Sequence, residues 1–137
     1  MPLHLPAPSL ARPPARPLAI VLAVVALLCA GCGSPAAVDV AETEPVAVAM
    51  SEFRLTPQSV RLQGEGERTF EIRNEGTMVH RFELRSEDGT RRLALGEPLR
   101  PGESQELTVR LPRGTFLMRC AQERHNTLGE HGTVTVL

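Results

Sequence analysis

The chain has 137 residues and a formal net charge of -1, with 16 acids set against 15 basic residues, all of them arginine. That length sets one domain, and so even a balance leaves no basic footprint for a nucleic-acid partner. With no Trp, no Tyr and four Phe, it offers no stacking surface for bases.

The first segments do not belong to a folded domain. MPLHLPAPSLARPPARP carries Arg12 and Arg16 and no acid, and Leu18 to Leu28 then runs wholly apolar. A basic region followed by a short hydrophobic one has the form of an export signal, too short to span a bilayer. CAGCGS comes next, and small residues directly before Cys32 resemble a bacterial lipoprotein cleavage site. The resemblance implies that residues 1–31 are a signal peptide and that Cys32 is lipidated. The domain would then be exported and anchored to a bacterial membrane, periplasmic or at the cell surface. Cys29 stands where that pattern usually has leucine, and an ordinary secretory signal cleaved nearby is the alternative. On the lipoprotein reading Cys120 is the only free thiol left, with no partner for an internal disulfide. In an oxidising compartment such a thiol needs burial or a ligand to protect it.

Residues 32–45, with GSPAAVDVAETEP, are small, acidic and without apolar period. They read as a flexible membrane tether, dispensable for folding. The folded domain is then expected over 46–137.

That domain is written in period two. MSEFRLTPQSVRL supplies one or two strands with a break at Pro57. RTFEIRN turns Phe70 and Ile72 to one face, and HRFELRS turns His80, Phe82 and Leu84 one way with Arg81, Glu83 and Arg85 the other. QELTVRL does the same with Leu107, Val109 and Leu111, GTFLMRC with Phe116, Met118 and Cys120, and GTVTVL with Val134 and Val136. Such alternation marks half-buried antiparallel strands. RNEG, EDGT, RPGE and PRG punctuate them as turns. About seven short strands and no helical period predict an all-β sandwich or small barrel.

Parity also carries chemistry. His80 and Cys120 both face inward near strand ends, and His125 follows Cys120 by five residues across a loop. Thiolate and imidazole are the ligands that copper and zinc prefer. An inert core cysteine beside a structural histidine is the plainer alternative, and two inward donors with a third close by weigh against it.

This pattern resembles the cupredoxins, the blue-copper family of Greek-key β-sandwiches, and implies about 7–8 strands of that fold. NEGTMVHRFEL supplies the early His of the family at His80, and Cys120 and His125 match the spacing of its C-terminal ligand loop. PRGTFLMRC and HGTVTVL resemble the strands on either side of that loop. The likeness runs over essentially all of 46–137. It implies copper as cofactor, with two imidazoles and a thiolate around it and a weak axial ligand, the donor set of an electron-transfer site. Asn74 would be a turn former behind His80, or simple turn chemistry.

One position departs from the family. Ten residues after Cys120, where an axial Met is expected, stands Glu130. If the last strand begins near residue 130, Glu130 shares the inward face of Val134 and Val136, while His131 faces solvent with Thr133 and Thr135. Glu130 is therefore the expected fourth ligand, unless it swings out to water. Met118 reads as core filler.

The expected function is a one-electron carrier outside the cytoplasm, not an enzyme. It would be a monomer meeting an unidentified redox partner protein over His125, Leu128 and Met78. The alternatives are copper(II) binding, storage or delivery, a red-copper-like site with an open position, and a metal-free interaction module.

Overall fold

The computed structural model of the protein describes residues 36–137. The expected signal peptide and the expected lipidation site at Cys32 lie outside them. Ten strands form two sheets: β1 (Val38–Val40), β2 (Val46–Ser51), β3 (Arg54–Thr56), β4 (Ser59–Leu62), β5 (Gly66–Asn74), β6 (Phe82–Ser86), β7 (Arg92–Leu95), β8 (Ser104–Leu111), β9 (Gly114–Cys120) and β10 (His131–Val136). A six-stranded sheet runs β1-β4-β10-β9-β6-β7 and a four-stranded sheet runs β3-β2-β5-β8. Pairing is antiparallel except for β1 with β4, β4 with β10, and β2 with β5.

The predicted alternation accounts for the packing between the sheets. Phe70, Ile72, Phe82, Leu84, Phe116, Met118, Val134 and Val136 are all buried, with Leu107 and Val109 packed against them at the margin. Phe70 and Phe82, one from each sheet, meet with ring centroids 5.6 Å apart. Burial of each large apolar side chain contributes on the order of 2 kcal/mol, so this layer is what holds the sheets together.

Among the described residues the strand number is ten rather than seven or eight. The sequence reading names no strand at β1 or β7, of three and four residues, and its stretch MSEFRLTPQSVRL takes in β3 and β4 but only the last two residues of β2. Three or four residues hardly display an alternation, and pairing with neighbours defines β1 and β7 instead.

β1 also corrects the expected boundary of the domain. The stretch read as flexible tether pairs in register with β4, Val38 to Val60 through Val40 to Leu62. Val40 is buried, and Asp39 meets Arg61 at 2.7 Å. Behind it, the buried guanidinium of Arg68 donates to the backbone oxygens of Glu42, Gln63 and Gly64. The segment has too few apolar residues to announce itself, yet one valine and a ladder suffice to dock it.

Glu83 departs from its predicted surroundings in a second way. It points away from the core, as parity requires, but is fully buried. Arg85, Arg92 and Arg119 cover it, with contacts of 3.0, 2.6 and 2.5 Å to its carboxylate. Burial alone would raise its pKa, but the hydrogen bonds from Arg92 and Arg119 outweigh that and hold the carboxyl below its usual value.

A chain starting at Val46 therefore loses Val40, the β1 ladder and one acceptor of Arg68. Chemical denaturation should find it about 2 kcal/mol less stable than a chain starting at residue 36. Equal denaturation midpoints would mean that β1 adds nothing to the fold.

Candidate metal centre

The order of strands brings three chain segments to one end of the six-stranded sheet. β10, β9 and β6 are neighbours, with Phe82 opposite Cys120 and His131 opposite Arg119. The start of β6, the end of β9 and the start of β10 thus lie side by side. His80 sits just before β6, bridged to Leu99 by two backbone hydrogen bonds of 3.1 and 2.7 Å. Cys120 closes β9, and Glu130 immediately precedes β10. His125 stands on the loop between them, which turns back so that Glu130 N–H donates to His125 C=O at 3.1 Å.

The four side chains meet. One donor atom from each of His80, Cys120, His125 and Glu130 lies within 4.8 Å of the others, and all four residues are buried. Cys120 Sγ is 3.8 Å from His80 Nδ1 and 3.6 Å from His125 Nδ1. The carboxylate of Glu130 bridges the imidazoles, Oε1 at 2.7 Å from His80 Nδ1 and Oε2 at 3.1 Å from His125 Nδ1. His131, by contrast, is exposed on the other face of its strand. Parity thus separated Glu130 from His131 correctly as to burial.

Glu52, from the turn after β2, was invisible in the sequence as a site residue because nothing in its local pattern distinguishes it. Its Oε1 accepts the backbone N–H groups of Thr77 and Met78 at 2.7 and 2.6 Å, and meets His80 Nε2 at 3.3 Å. Its own backbone N–H and that of Met78 hold its carboxyl down to about 2. An ionised carboxylate only accepts, so Nε2 is the donor in that contact and Nδ1 is the ring nitrogen on the side of the other three donors.

Nδ1 is in contact with Cys120 Sγ, and Glu130 Oε1 lies 2.7 Å from it yet has no hydrogen-bond partner. A buried carboxylate oxygen without a partner is unfavourable unless a proton or a metal cation compensates it. Burial, the larger influence, raises the pKa of Glu130, and burial likewise pushes the Cys120 thiol up to about 11. Without metal the thiol holds its proton at neutral pH, so a metal must displace it. Thiolate, two imidazole nitrogens and a carboxylate oxygen make a donor set that fits copper.

Other side chains fix this set. Arg81 N–H donates to Cys120 Sγ at 3.5 Å. Buried Asn74 donates through Nδ2 to Met78 C=O and Leu99 C=O at 2.8 and 2.9 Å, and its Oδ1 accepts Gly76 N–H at 2.9 Å. It shapes the loop that delivers His80, so the turn and the support are one device. Phe53 stands edge-on to His125 with centroids 5.1 Å apart.

The model of the cupredoxin-like domain family matches residues 19–136. The chain belongs to the cupredoxin family. Solved cupredoxin structures share its fold at low identity. Dithionite-reduced auracyanin from Roseiflexus castenholzii is 20% identical with a TM-score of 0.61, over 68% of this chain and 96% of that one. Auracyanin A from Chloroflexus aurantiacus, titled a "blue" copper protein, is 16% identical at TM-score 0.58, over 69% and 100%. A purple cupredoxin from Nitrosopumilus maritimus is 18% identical at 0.53, over 67% and 99%. No curated protein matches the sequence significantly.

In this cupredoxin, a carboxylate on the far nitrogen of His80 should raise the basicity of that ring. Glu52→Gln keeps an oxygen for Thr77 and Met78 but removes the charge. The variant should lose about tenfold in copper(II) affinity and show a higher reduction potential, measured by titration and voltammetry. Unchanged values would show that Glu52 only shapes its turn.

Proposed function

We propose that the protein is a one-electron carrier of the cupredoxin type, with copper held by His80 Nδ1, Cys120 Sγ, His125 Nδ1 and Glu130. The observation that carries this reading is the buried Glu130 carboxylate, one oxygen without a hydrogen bond, closing a cluster of thiol and two imidazoles. Copper, when bound, supplies a couple that takes up and gives back a single electron. The chain supplies everything else. Its donors stand on strand ends and one short, internally bonded loop, so their positions are set before the metal arrives. The carboxylate is anionic and a harder donor than a thioether, and it favours the more highly charged metal state. This cupredoxin should therefore work at a lower potential than one with an axial methionine.

His125 is the ligand closest to solvent, 7% exposed, and the apolar side chains of Met78, Val79 and Leu128 are 44%, 40% and 54% exposed on the loops that carry the ligands. We place the electron port there. Export through residues 1–31, lipidation at Cys32 and a membrane-facing life outside the cytoplasm complete the proposal, with a short link from Cys32 to β1. Because Glu130 offers a hard oxygen, copper(II) storage or delivery is the second reading. Reversible voltammetry of the copper-loaded protein supports the carrier, and an irreversible response supports storage.

Cys120→Ser should abolish the intense visible thiolate-to-copper(II) band, because no other thiol exists in 36–137. If the band survives, this ligand set is wrong. Glu130→Met should raise the reduction potential and shift the spectrum towards ordinary blue copper. An unchanged potential and spectrum would show that the carboxylate does not touch the metal.

A further inference from the structure

The outer face of the six-stranded sheet carries an excess of arginine at its β6, β7 and β9 end, away from the Asp39–Arg61 pair on β1 and β4. Strand pairing sets Leu95, Glu83, Arg119 and His131 abreast across β7, β6, β9 and β10. Arg81 and Arg85 flank Glu83 on the same side of its strand, and Arg92 joins them through its contact with the carboxylate. Four arginines therefore surround a single buried acid. The outer face of the other sheet is balanced, with Glu67, Glu71 and Glu106 against Arg54, Arg73 and Arg110. The net charge of the whole chain is only -1, so this excess is local.

The arginines are not spent on Glu83. Arg85 uses its Nε and both Nη groups on Gly89 C=O, Glu83 and Thr90 C=O. Arg92 and Arg119 each give Glu83 only their Nε–H, and their Nη groups have no acceptor among the described residues. Their side chains are 54% and 32% exposed. Glu83 thus orients two guanidinium groups with their outer donors free, the geometry that takes a carboxylate through paired hydrogen bonds. The patch also adjoins the metal centre through the chain: Arg119 precedes Cys120, and Arg81 N–H reaches its Sγ.

We propose that this arginine face is the docking surface for a carboxylate-rich protein partner, with Arg92 and Arg119 as its anchors. A second copy of this chain is a poor occupant, because its opposite sheet offers acids already matched by arginines. That the partner exchanges electrons rests on the carrier reading; the surface itself does not, since its residues are set by Glu83 and not by copper.

The test uses a poly-glutamate peptide as probe, with binding to the protein followed by amide chemical shifts, with and without copper. Shifts are expected in β6, β7 and β9, in both forms, and binding should weaken as salt rises and screens the charges. Arg92→Gln with Arg119→Gln should weaken binding by about tenfold or more, and Arg73→Gln on the opposite sheet should leave it unchanged. Because losing either arginine also strips Glu83 of a partner, Arg92→Lys alone is the second variant: it keeps a positive charge against Glu83 but lacks the paired outer donors, and should weaken binding in a fully folded protein. Shifts confined to another face, or variants that bind as well as the parent, would overturn the proposal. So would capture by phosphatidylglycerol vesicles through the same arginines with no binding of the peptide. A protein that stays colourless with copper yet binds the peptide would overturn the carrier reading and leave the surface standing.

Discussion

A buried carboxylate oxygen without a hydrogen bond, set against a thiol and two imidazoles, is the feature on which the rest of the structure turns. Glu130 Oε1 and His80 Nδ1 are 2.7 Å apart without a hydrogen bond between them, and Glu52 meets His80 on the opposite nitrogen. An isolated buried carboxylate costs several kcal/mol. Neither Arg nor backbone N–H relieves it, in contrast to Glu83, whose carboxylate lies under three guanidinium groups. One fold thus buries two glutamates by two solutions, and the arginine-free solution belongs to the one beside a thiol and two imidazoles.

The scaffold makes that contact reproducible. Three adjacent strands, β6, β9 and β10, bring their ends to one edge of a sheet, and the sandwich core behind them fixes their spacing. The other sheet contributes the support: Glu52 follows β2, and Asn74 closes β5 opposite Met50. Both clamp the 75–79 loop that delivers His80. Positioning therefore comes from both layers, while the candidate ligands come from one sheet and its loops. Such division keeps donors in place while electron count changes, which is what a carrier needs.

Much of this was legible in the sequence. Period-two patterning located the long strands, and the same parity placed His80, Cys120 and Glu130 inward and His131 outward. What parity could not give is contact across strands distant in sequence. Glu52 and His80 are 28 positions apart and meet only when the sheets pack. Glu83 and Arg119 are 36 apart and meet only because β6 pairs with β9. β1 was hidden for a related reason: its three residues gain their order from β4 and not from their own pattern. Local sequence encodes which way a side chain points, and the pairing of distant strands decides what it points at.

The account makes the two ends of function separable. Apolar loops around His125 suit electron entry, and an arginine face beside Cys120 suits recognition of an acidic partner. Electron entry depends on the proposed metal centre with Glu130 as a ligand, whereas the arginine face depends on Glu83. The most direct test is X-ray absorption at the copper edge of the copper(II)-loaded protein, compared with Glu130→Gln. The account predicts one sulfur, two imidazole nitrogens and one oxygen in the parent spectrum, with the oxygen contribution altered in the variant. A parent spectrum of sulfur and two nitrogens alone, unchanged by Glu130→Gln, would contradict it.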